Sequence, residues 1–471
     1  MVDINIAVVF ACVVPFLFFL TAIWRLIFRD AGEMPRVTLL VLGDIGRSPR
    51  MQYHALSLAR NGFAVDIVAY EGTDPHSELV MEPNIAFHLI DPPQKIPARV
   101  SKLVYLVLAF QRVIRQISTL MLWLIVVVPP PDFMLVQNPP AVPTLLVAQL
   151  SRVFRRAKLI IDWHNFGYSI MALNLGSRSK IVQVAKWYEQ LLGSRSHIHL
   201  CVTSAMAEEL RKVWGVKGEI VTLHDRAPKH FRRLPVSEIH DLLCRLDFTD
   251  LEIQYLAGDK NFPTKSLITN KPGAKAAPVF KSDRPALIIS STSWTEDEDF
   301  SILLEAAKLY DAEAAGGKKL PELVFVITGQ GPMKEHYTEE IRKVAWKRVR
   351  IHTAWLEASD YQLLLGSADL GVSLHTSSSG LDLPMKIVDM FGCELPVCAM
   401  GFKCIDELVQ HDRNGLIFGN ATELCQQFVE LFGSFPASAP KLEALKRGTQ
   451  EFQKSRWDDN WNTALKAKLK R

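Results

Sequence analysis

Five short segments of this chain place polar or small residues just beyond an apolar run, where a fold can present them to a ligand. The first is Ile160-Ile161-Asp162-Trp163-His164-Asn165-Phe166-Gly167-Tyr168. An imidazole titrates near neutrality and can take a proton from a sugar hydroxyl, so His164 is a candidate general base. Trp163 and Tyr168 can stack on the sugar of an acceptor. A purely structural histidine is the competing reading. The second segment, Gly43-Asp44-Ile45-Gly46-Arg47-Ser48-Pro49-Arg50, opens a helix. Glycine lets backbone approach a ligand closely, and a helix N-terminus favours anions. Gly46 lets the backbone come close to a ligand, Arg47 can neutralise a phosphate, and Asp44 is a second candidate base. A tight turn without a ligand is the alternative here.

The other three segments suit a nucleotide-linked donor. Ser290-Ser291-Thr292-Ser293-Trp294-Thr295 offers hydroxyls and an indole, and Ser293 and Trp294 are the donor contacts expected from it. The acids Glu296-Asp297-Glu298-Asp299 follow. Asp297 and Asp299 have the spacing of a D-x-D metal site. Thr295 with Glu298 three residues on is also a capping box, and acids in a first turn suit the helix dipole. The capping reading is preferred, and no metal is expected. Thr328-Gly329-Gln330-Gly331-Pro332 puts small residues where a phosphate or base can come close, which marks Thr328, Gly329 and Gly331. Ser377-Ser378-Ser379-Gly380-Leu381-Asp382-Leu383-Pro384-Met385-Lys386-Ile387-Val388-Asp389 is the most specific stretch, with Pro384 suited to a helix's first turn. Backbone N–H groups of Ser378, Ser379 and Gly380 can hold a pyrophosphate, Lys386 adds positive charge, and Asp389 one turn later can bond ribose hydroxyls. The plainer reading is a solvated loop and a surface lysine.

Strands must end where these segments begin. Val37–Leu42, Ala64–Ala69, Asp132–Gln137, Lys158–Asp162, His199–Thr203 and Glu219–Leu223 read as strands with helical segments between them. A second series runs Ala286–Ser290, Leu323–Thr328, Arg350–Ala354, Leu370–His375 and Pro396–Met400, again separated by helices such as Glu296–Tyr310. Such alternation argues for two α/β domains, each a doubly wound parallel sheet, with ligands at the strand C-termini and a cleft between the domains. The expected division is an anchor over 1–30, a first Rossmann-like domain over 36–239 that holds the acceptor, a sparsely patterned linker or insertion over 240–284, a second Rossmann-like domain over 285–440 that holds the nucleotide sugar, and C-terminal helices over 441–471.

Ile4 to Trp24 carries no charge over 21 residues, enough to span about 32 Å as a helix. Arg25, Arg29 and Arg36 follow it, which places the body of the protein on the cytoplasmic side. Were the body lumenal, the sequon Asn420-Ala421-Thr422 would be open to glycosylation. Leu103–Val128 is a second apolar stretch, broken by Gln111, Arg112, Arg115 and Gln116. It is either a helix packed on the sheet or one lying on the bilayer with its arginines near headgroups. Across the chain, 54 basic residues stand against 50 acidic, too even a balance for nucleic-acid binding by charge. The seven cysteines are scattered without a C-x-x-C pair, which argues against a disulfide framework or zinc site.

The Ser377–Gly392 segment, continuing to Pro396-Val397-Cys398-Ala399, resembles the nucleotide-sugar region of GT-B glycosyltransferases. With Asp162-Trp163-His164-Asn165, Ser293-Trp294-Thr295-Glu296-Asp297 and Leu374-His375-Thr376-Ser377, the chain is similar, from the anchor to about residue 420, to the family of β-mannosyltransferases that act on dolichol-diphosphate-linked chitobiose. The resemblance implies GDP-mannose as donor, an inverting transfer forming a β-1,4 linkage, and no metal or other cofactor. It also implies the endoplasmic reticulum membrane, with a single-pass anchor and a cytosolic body, as the location, and membrane lipid and other transferases of the pathway as partners. The chain departs from the family pattern at Gln330, where Lys is expected, and at Glu394, where Gly is expected. Asp382 and Asp389 stand seven apart where related retaining enzymes carry two glutamates. Inversion requires a base to deprotonate the acceptor hydroxyl opposite the leaving group and donors to stabilise the departing diphosphate. The sequence does not choose between Asp44 and His164 for that base. A membrane-anchored, non-catalytic subunit that binds a nucleotide sugar or recruits a transferase is the rival reading. A dinucleotide oxidoreductase is disfavoured because G-x-G-x-x-G is absent.

Overall fold

The computed structural model describes residues 34–94, 96–97, 101–246, 248, 265–273, 275–295 and 298–469. The expected anchor Ile4–Trp24, and Glu296 and Asp297, lie outside the described residues. The chain divides into two compact units, Met1–His224 with Trp461–Arg471, and Asp225–Asn460.

The first unit is built on seven strands: β1 (Arg36–Asp44), β2 (Ala64–Tyr70), β3 (Ile85–Ile90), β4 (Phe133–Asn138), β5 (Lys158–Trp163), β6 (Arg195–Cys201) and β7 (Lys217–Thr222). They form one parallel sheet in the order β3-β2-β1-β4-β5-β6-β7. Val37, Leu39, Leu40 and Val41 of β1 are all buried because helices cover both faces, so the strand reads as a continuous apolar run rather than an alternating one. The helix Pro49–Arg60 has its proline in the first turn, where a missing N–H costs no hydrogen bond. The strand order reverses between β1 and β4, which is where an open α/β sheet leaves a crevice for ligands. The C-terminus returns to this unit: the Trp461 indole N–H donates to His54 Nδ1 at 3.0 Å.

The stretch Leu103–Val128 is a helix, Lys102–Leu122, continued by one wider π-type turn, Trp123–Val127. By length and composition Val107–Val127 could cross a membrane. Its inner side is tied to the unit instead. Arg155 donates from Nε to Leu124 O at 2.9 Å and from Nη2 to Val128 O, Gln116 donates to the Tyr70 hydroxyl, and Trp123 meets His88 edge-on.

The second unit carries a short antiparallel pair, β8 (Thr269–Asn270) with β9 (Val279–Phe280). Its main sheet holds β10 (Ala286–Ser291), β11 (Leu323–Thr328), β12 (Val349–Ala354), β13 (Leu370–Ser373), β14 (Val397–Met400) and β15 (Gly415–Phe418). These are parallel in the order β12-β11-β10-β13-β14-β15. Alternate residues supply two cores. Leu323, Phe325 and Ile327 face one, and Val324 and Val326 the other. The reversal in strand order falls between β10 and β13. Strands β3 and β15 were not anticipated from the sequence. The first lies at the sheet edge, where most of its residues are only partly buried, and the second is only four residues long.

Candidate functional site

In the first unit the chemistry gathers at the end of β5. Asp162 is fully buried, and its carboxylate is the hub. Arg50 donates to it from Nε at 2.9 Å and from Nη2 at 2.9 Å, and sends Nη1 to Leu223 O at 2.9 Å. His54 Nε2 stands 3.3 Å away, and His164 Nε2 lies at 2.7 Å. Burial alone would raise the Asp162 carboxyl. Arg50, His164 and His54 outweigh it and hold the group well below the usual carboxylate range. An ionised Asp162 takes an N–H from His164 Nε2, which leaves Nδ1 as the basic nitrogen. The His164 side chain is 23% exposed and so open to a substrate, while the charge that orients it is not.

The turn carrying His164 is held from beneath. Glu189, fully buried, accepts from Asn138 Nδ2 at 2.7 Å, Gly167 N at 2.9 Å and Tyr168 N at 3.0 Å. The last two are free N–H groups at the start of the helix Gly167–Leu175, where a carboxylate is favoured. Tyr168 is half-buried and stacks on Phe166 at 5.7 Å. Burial first, then Glu189 and Glu209, push its phenol up to about 12, so it stays protonated. Trp163 requires a correction. It is fully buried, its N–H donates to His199 Nδ1 at 3.2 Å, and its ring is flanked by Phe166, His199 and Trp214. It is a core residue bracing the turn and offers no face to a sugar.

Asp44 ends β1, with β4 lying between its strand and β5. Its carboxylate accepts from Gly46 N and Thr73 N, each at 2.9 Å, with Arg47 Nε at 3.5 Å. Burial opposes ionisation, but these N–H groups and Arg47 lower the carboxyl below its usual value. It therefore acts as a structural cap and as a weak base. Gly46 is required by close packing: a Cβ there would stand 2.2 Å from Thr73 O. Its close approach is to backbone, which corrects the expectation of an acceptor contact through missing bulk. Arg47 remains largely exposed, with Nε bonded to Thr73 Oγ1.

In the second unit, Glu298 plays the organising part. Oε2 accepts from Thr292 Oγ1 at 2.7 Å, Ser293 N at 2.6 Å and Ser293 Oγ at 3.2 Å, and Oε1 pairs with Lys386 Nζ at 2.5 Å. Burial would raise its carboxyl, but Lys386 and these hydrogen bonds keep it below the ordinary glutamate value. The expected Thr295–Glu298 capping box is not formed. The helix starts later, Phe300–Ala315, and Asp299 caps it by accepting from Ser301 N at 3.0 Å. His375, just past β13, stands between two carboxylates, 3.9 Å from Glu298 Oε1 and 3.7 Å from Asp382 Oδ2.

Ser293 is exposed above this group. Trp294 is not: it is 1% exposed, sits at φ 51°, and packs on Phe300 and Tyr337. It supports the turn rather than meeting a donor. Gly329 and Gly331 fit against that same turn. A Cβ would stand 1.8 Å from Thr292 O at Gly329 and 1.7 Å from Ser293 O at Gly331. Their small size thus serves backbone packing, a second correction to the ligand-approach reading. Thr328 is buried, with Oγ1 donating to Ser291 Oγ at 3.2 Å. Ser377–Asp382 is a half-exposed loop. Ser377 and Ser379 hydroxyls turn onto Asp382 Oδ1, and Gly380 takes φ 72°, with Ser378 between them. Asp389 does not join Lys386. Burial first, and the Asp225 carboxylate second, raise it well above the usual range and favour its protonated, hydrogen-donating form.

The geometry thus draws Ser293, Lys386 and the 377–382 loop around Glu298 and His375, at the switch point of the second sheet. In the first unit it sets His164 on Asp162. Sequence reasoning passed over Arg50, His54, Asp162, Glu298, His375 and Asp382 as site residues. The D-x-H spacing of Asp162 and His164 at a strand end was a usable signal for one of them. The Glu298–Lys386 pair spans 88 residues and left none.

The comparisons with known proteins agree with this architecture. Residues 46–225 match the family model of the glycosyl transferase 4-like domain, and residues 284–434 that of glycosyl transferases group 1. The chain is 45% identical over 461 residues to a UDP-glycosyltransferase named TURAN from Arabidopsis thaliana, covering 92% of this chain and 97% of that one. It is 46% identical over 435 residues to chitobiosyldiphosphodolichol beta-mannosyltransferase of Mus musculus, covering 92% and 89%. The structure of Anabaena Alr3699/HepE in complex with UDP and glucose has the same fold, with TM-score 0.55, 15% identity and coverage of 90% and 95%. On these grounds the chain is a GT-B glycosyltransferase and belongs to the chitobiosyldiphosphodolichol beta-mannosyltransferase family.

Proposed function

We propose that the chain transfers mannose from GDP-mannose to dolichol-diphosphate-linked chitobiose, with inversion to a β-1,4 linkage, at the cytosolic face of the endoplasmic reticulum membrane. This is a step in building the precursor of N-glycans. The observation that carries the reading is the likeness of relatives bearing that activity in their names, which extends along nine-tenths of the chain. Within it, the first unit holds the acceptor and the base, and the second holds the nucleotide sugar. His164 is the base: its Nδ1 takes the proton of the acceptor hydroxyl as oxygen attacks the anomeric carbon. Asp162 is a positioning residue that stabilises the imidazolium formed. Lys386, Ser293 and the N–H groups of the 378–380 loop stabilise negative charge on the departing diphosphate.

Asp44 is retained by the fold as a cap, which disfavours it as the base. One relative's name supports a second donor reading, since the Arabidopsis protein is called a UDP-glycosyltransferase. Purified full-length protein, a chitobiose diphosphate acceptor on a short polyprenyl tail and EDTA separate the readings. GDP-mannose, UDP-glucose and UDP-N-acetylglucosamine are offered in parallel. Turnover with GDP-mannose alone supports the proposal. Turnover with a UDP-sugar alone overturns the donor assignment, and saturable GDP binding without turnover supports a non-catalytic subunit.

A further inference from the structure

We infer that one helical face of the first unit is a docking surface for an anionic lipid bilayer, separate from the apolar stretch Ile4–Trp24. The connections β1 to β2 and β4 to β5 to β6 run in opposite directions across the sheet. Right-handed crossovers therefore put the helices that follow β4 and β5 on the face opposite Pro49–Arg60. On that opposite face Lys102–Leu122 packs on Thr144–Arg155, which packs on Lys180–Gly193, which packs on Gly167–Leu175. The outer side of such a layer is normally polar. Here Phe110 is 67% exposed, Val153 69%, Val184 62% and Trp187 61%, with Phe154 and Leu173 also more than half exposed. Among the described residues, these four helices with the turn Trp123–Val127 hold seventeen exposed large apolar side chains, and the whole second unit holds three. The helix Pro49–Arg60 exposes none. Apolar surface gathered in this way marks a contact with something other than water.

Charge identifies the occupant. Residues 101–200 contain eleven Lys and Arg against three Asp and Glu, a net +8 in a chain whose total is +4. Two of those three acids, Asp162 and Glu189, are fully buried. The helical layer is therefore basic as well as apolar: Arg156 and Arg178 are exposed on it, and Arg112 and Arg115 are exposed at its edge, beside Tyr70 and Leu89. Basic heads beside exposed aliphatic and indole groups suit a plane where anionic headgroups meet acyl chains. The helix 107–127 lies along that plane rather than crossing it, because Arg155, Gln116 and Trp123 bind its inner side to the unit. This inference goes beyond the transferase reading and does not depend on the donor or on turnover.

The test uses the full chain reconstituted in vesicles. Bimane is attached at Val184→Cys, with Cys12 and Cys244 replaced by Ser, and doxyl-labelled lipid is the quencher. Strong quenching in vesicles containing phosphatidylserine, weak quenching in phosphatidylcholine, and reversal by about 1 M salt are expected. The variant R112E/R115E/R156E/R178E should weaken apparent docking by about tenfold or more, with unchanged thermal unfolding in detergent. Equal quenching in neutral and anionic vesicles, insensitive to salt, would overturn the charge-based assignment. Absence of quenching in both vesicles, or quenching only after another protein is added, would overturn the membrane assignment in favour of open water or a protein partner.

Discussion

Replacing His164 with alanine separates catalysis from folding, because its side chain is joined to the core through one hydrogen bond. In the structure His164 Nε2 meets Asp162 Oδ2 at 2.7 Å, and the ring is otherwise partly in solvent. After its removal, Asp162 keeps the two-point contact from Arg50 and His54 at 3.3 Å, so the buried carboxylate remains compensated. The folding cost should be that of one hydrogen bond to a charged group, about 1–3 kcal/mol. The catalytic cost should be that of a lost general base, a fall of about 10²–10⁴ in kcat, or about 3–5 kcal/mol in activation free energy. Initial rates with GDP-mannose and the short-tail acceptor, beside thermal unfolding in detergent, measure the two effects separately. Asp44→Ala is the comparison. It removes a cap bonded to Gly46 N and Thr73 N and should lower stability more than turnover. A His164→Ala enzyme that keeps more than about a third of wild-type kcat, well outside the range of a lost base, would refute the assignment, and an Asp44→Ala enzyme that alone lost turnover would transfer it.

Asp162→Asn should destabilise the protein by about 3–5 kcal/mol in chemical unfolding, since it strands the buried Arg50 guanidinium without its counter-charge; a loss under about 1 kcal/mol would show that Arg50 finds another partner. Glu298→Gln should raise the KM for donor with little change in acceptor KM, because Ser293 and Lys386 lose the carboxylate that places them. Glu298 is held below its ordinary pKa, so its contribution to stability is complete above about 4.3 and is lost as pH falls through the lower folded value. The stability gap between wild type and Glu298→Gln should therefore close on acidification, and a gap constant with pH would contradict the ion pair. Glu394 sits at φ 57°, a left-handed conformation that glycine adopts freely. Glu394→Gly should therefore stabilise the protein by about 1 kcal/mol in denaturant unfolding, less the exposed bond from Gln450.

The architecture was legible because parallel strands buried on both faces leave plain apolar runs. Leu323–Thr328 could be read to the residue, and most others to within a few. The edge strand β3 is not buried on both faces, and β15 is only four residues long. At the candidate site the structure draws side chains from several of the loops the sequence singled out, and it gives some of their residues other work. Trp163 and Trp294 looked like stacking platforms, yet both are core residues, since burial is decided by what the chain packs above them. Gly329 and Gly331 looked like room for a phosphate and are room for Thr292 and Ser293 carbonyls. Glu298 read as a helix cap because its real partner, Lys386, is 88 residues away. Local patterns find strand ends and caps. Long-range charge pairs such as Arg50–Asp162 exist only once the sheet is assembled.

The measurement that bears most directly on the central claim is the anomeric configuration of the product made by the full-length protein in a lipid vesicle, with GDP-mannose as donor and dolichol-diphosphate-linked chitobiose as acceptor. The account predicts a single added mannose that β-mannosidase removes and α-mannosidase does not. An α-linked product, or none from GDP-mannose while a UDP-sugar is consumed, would contradict it.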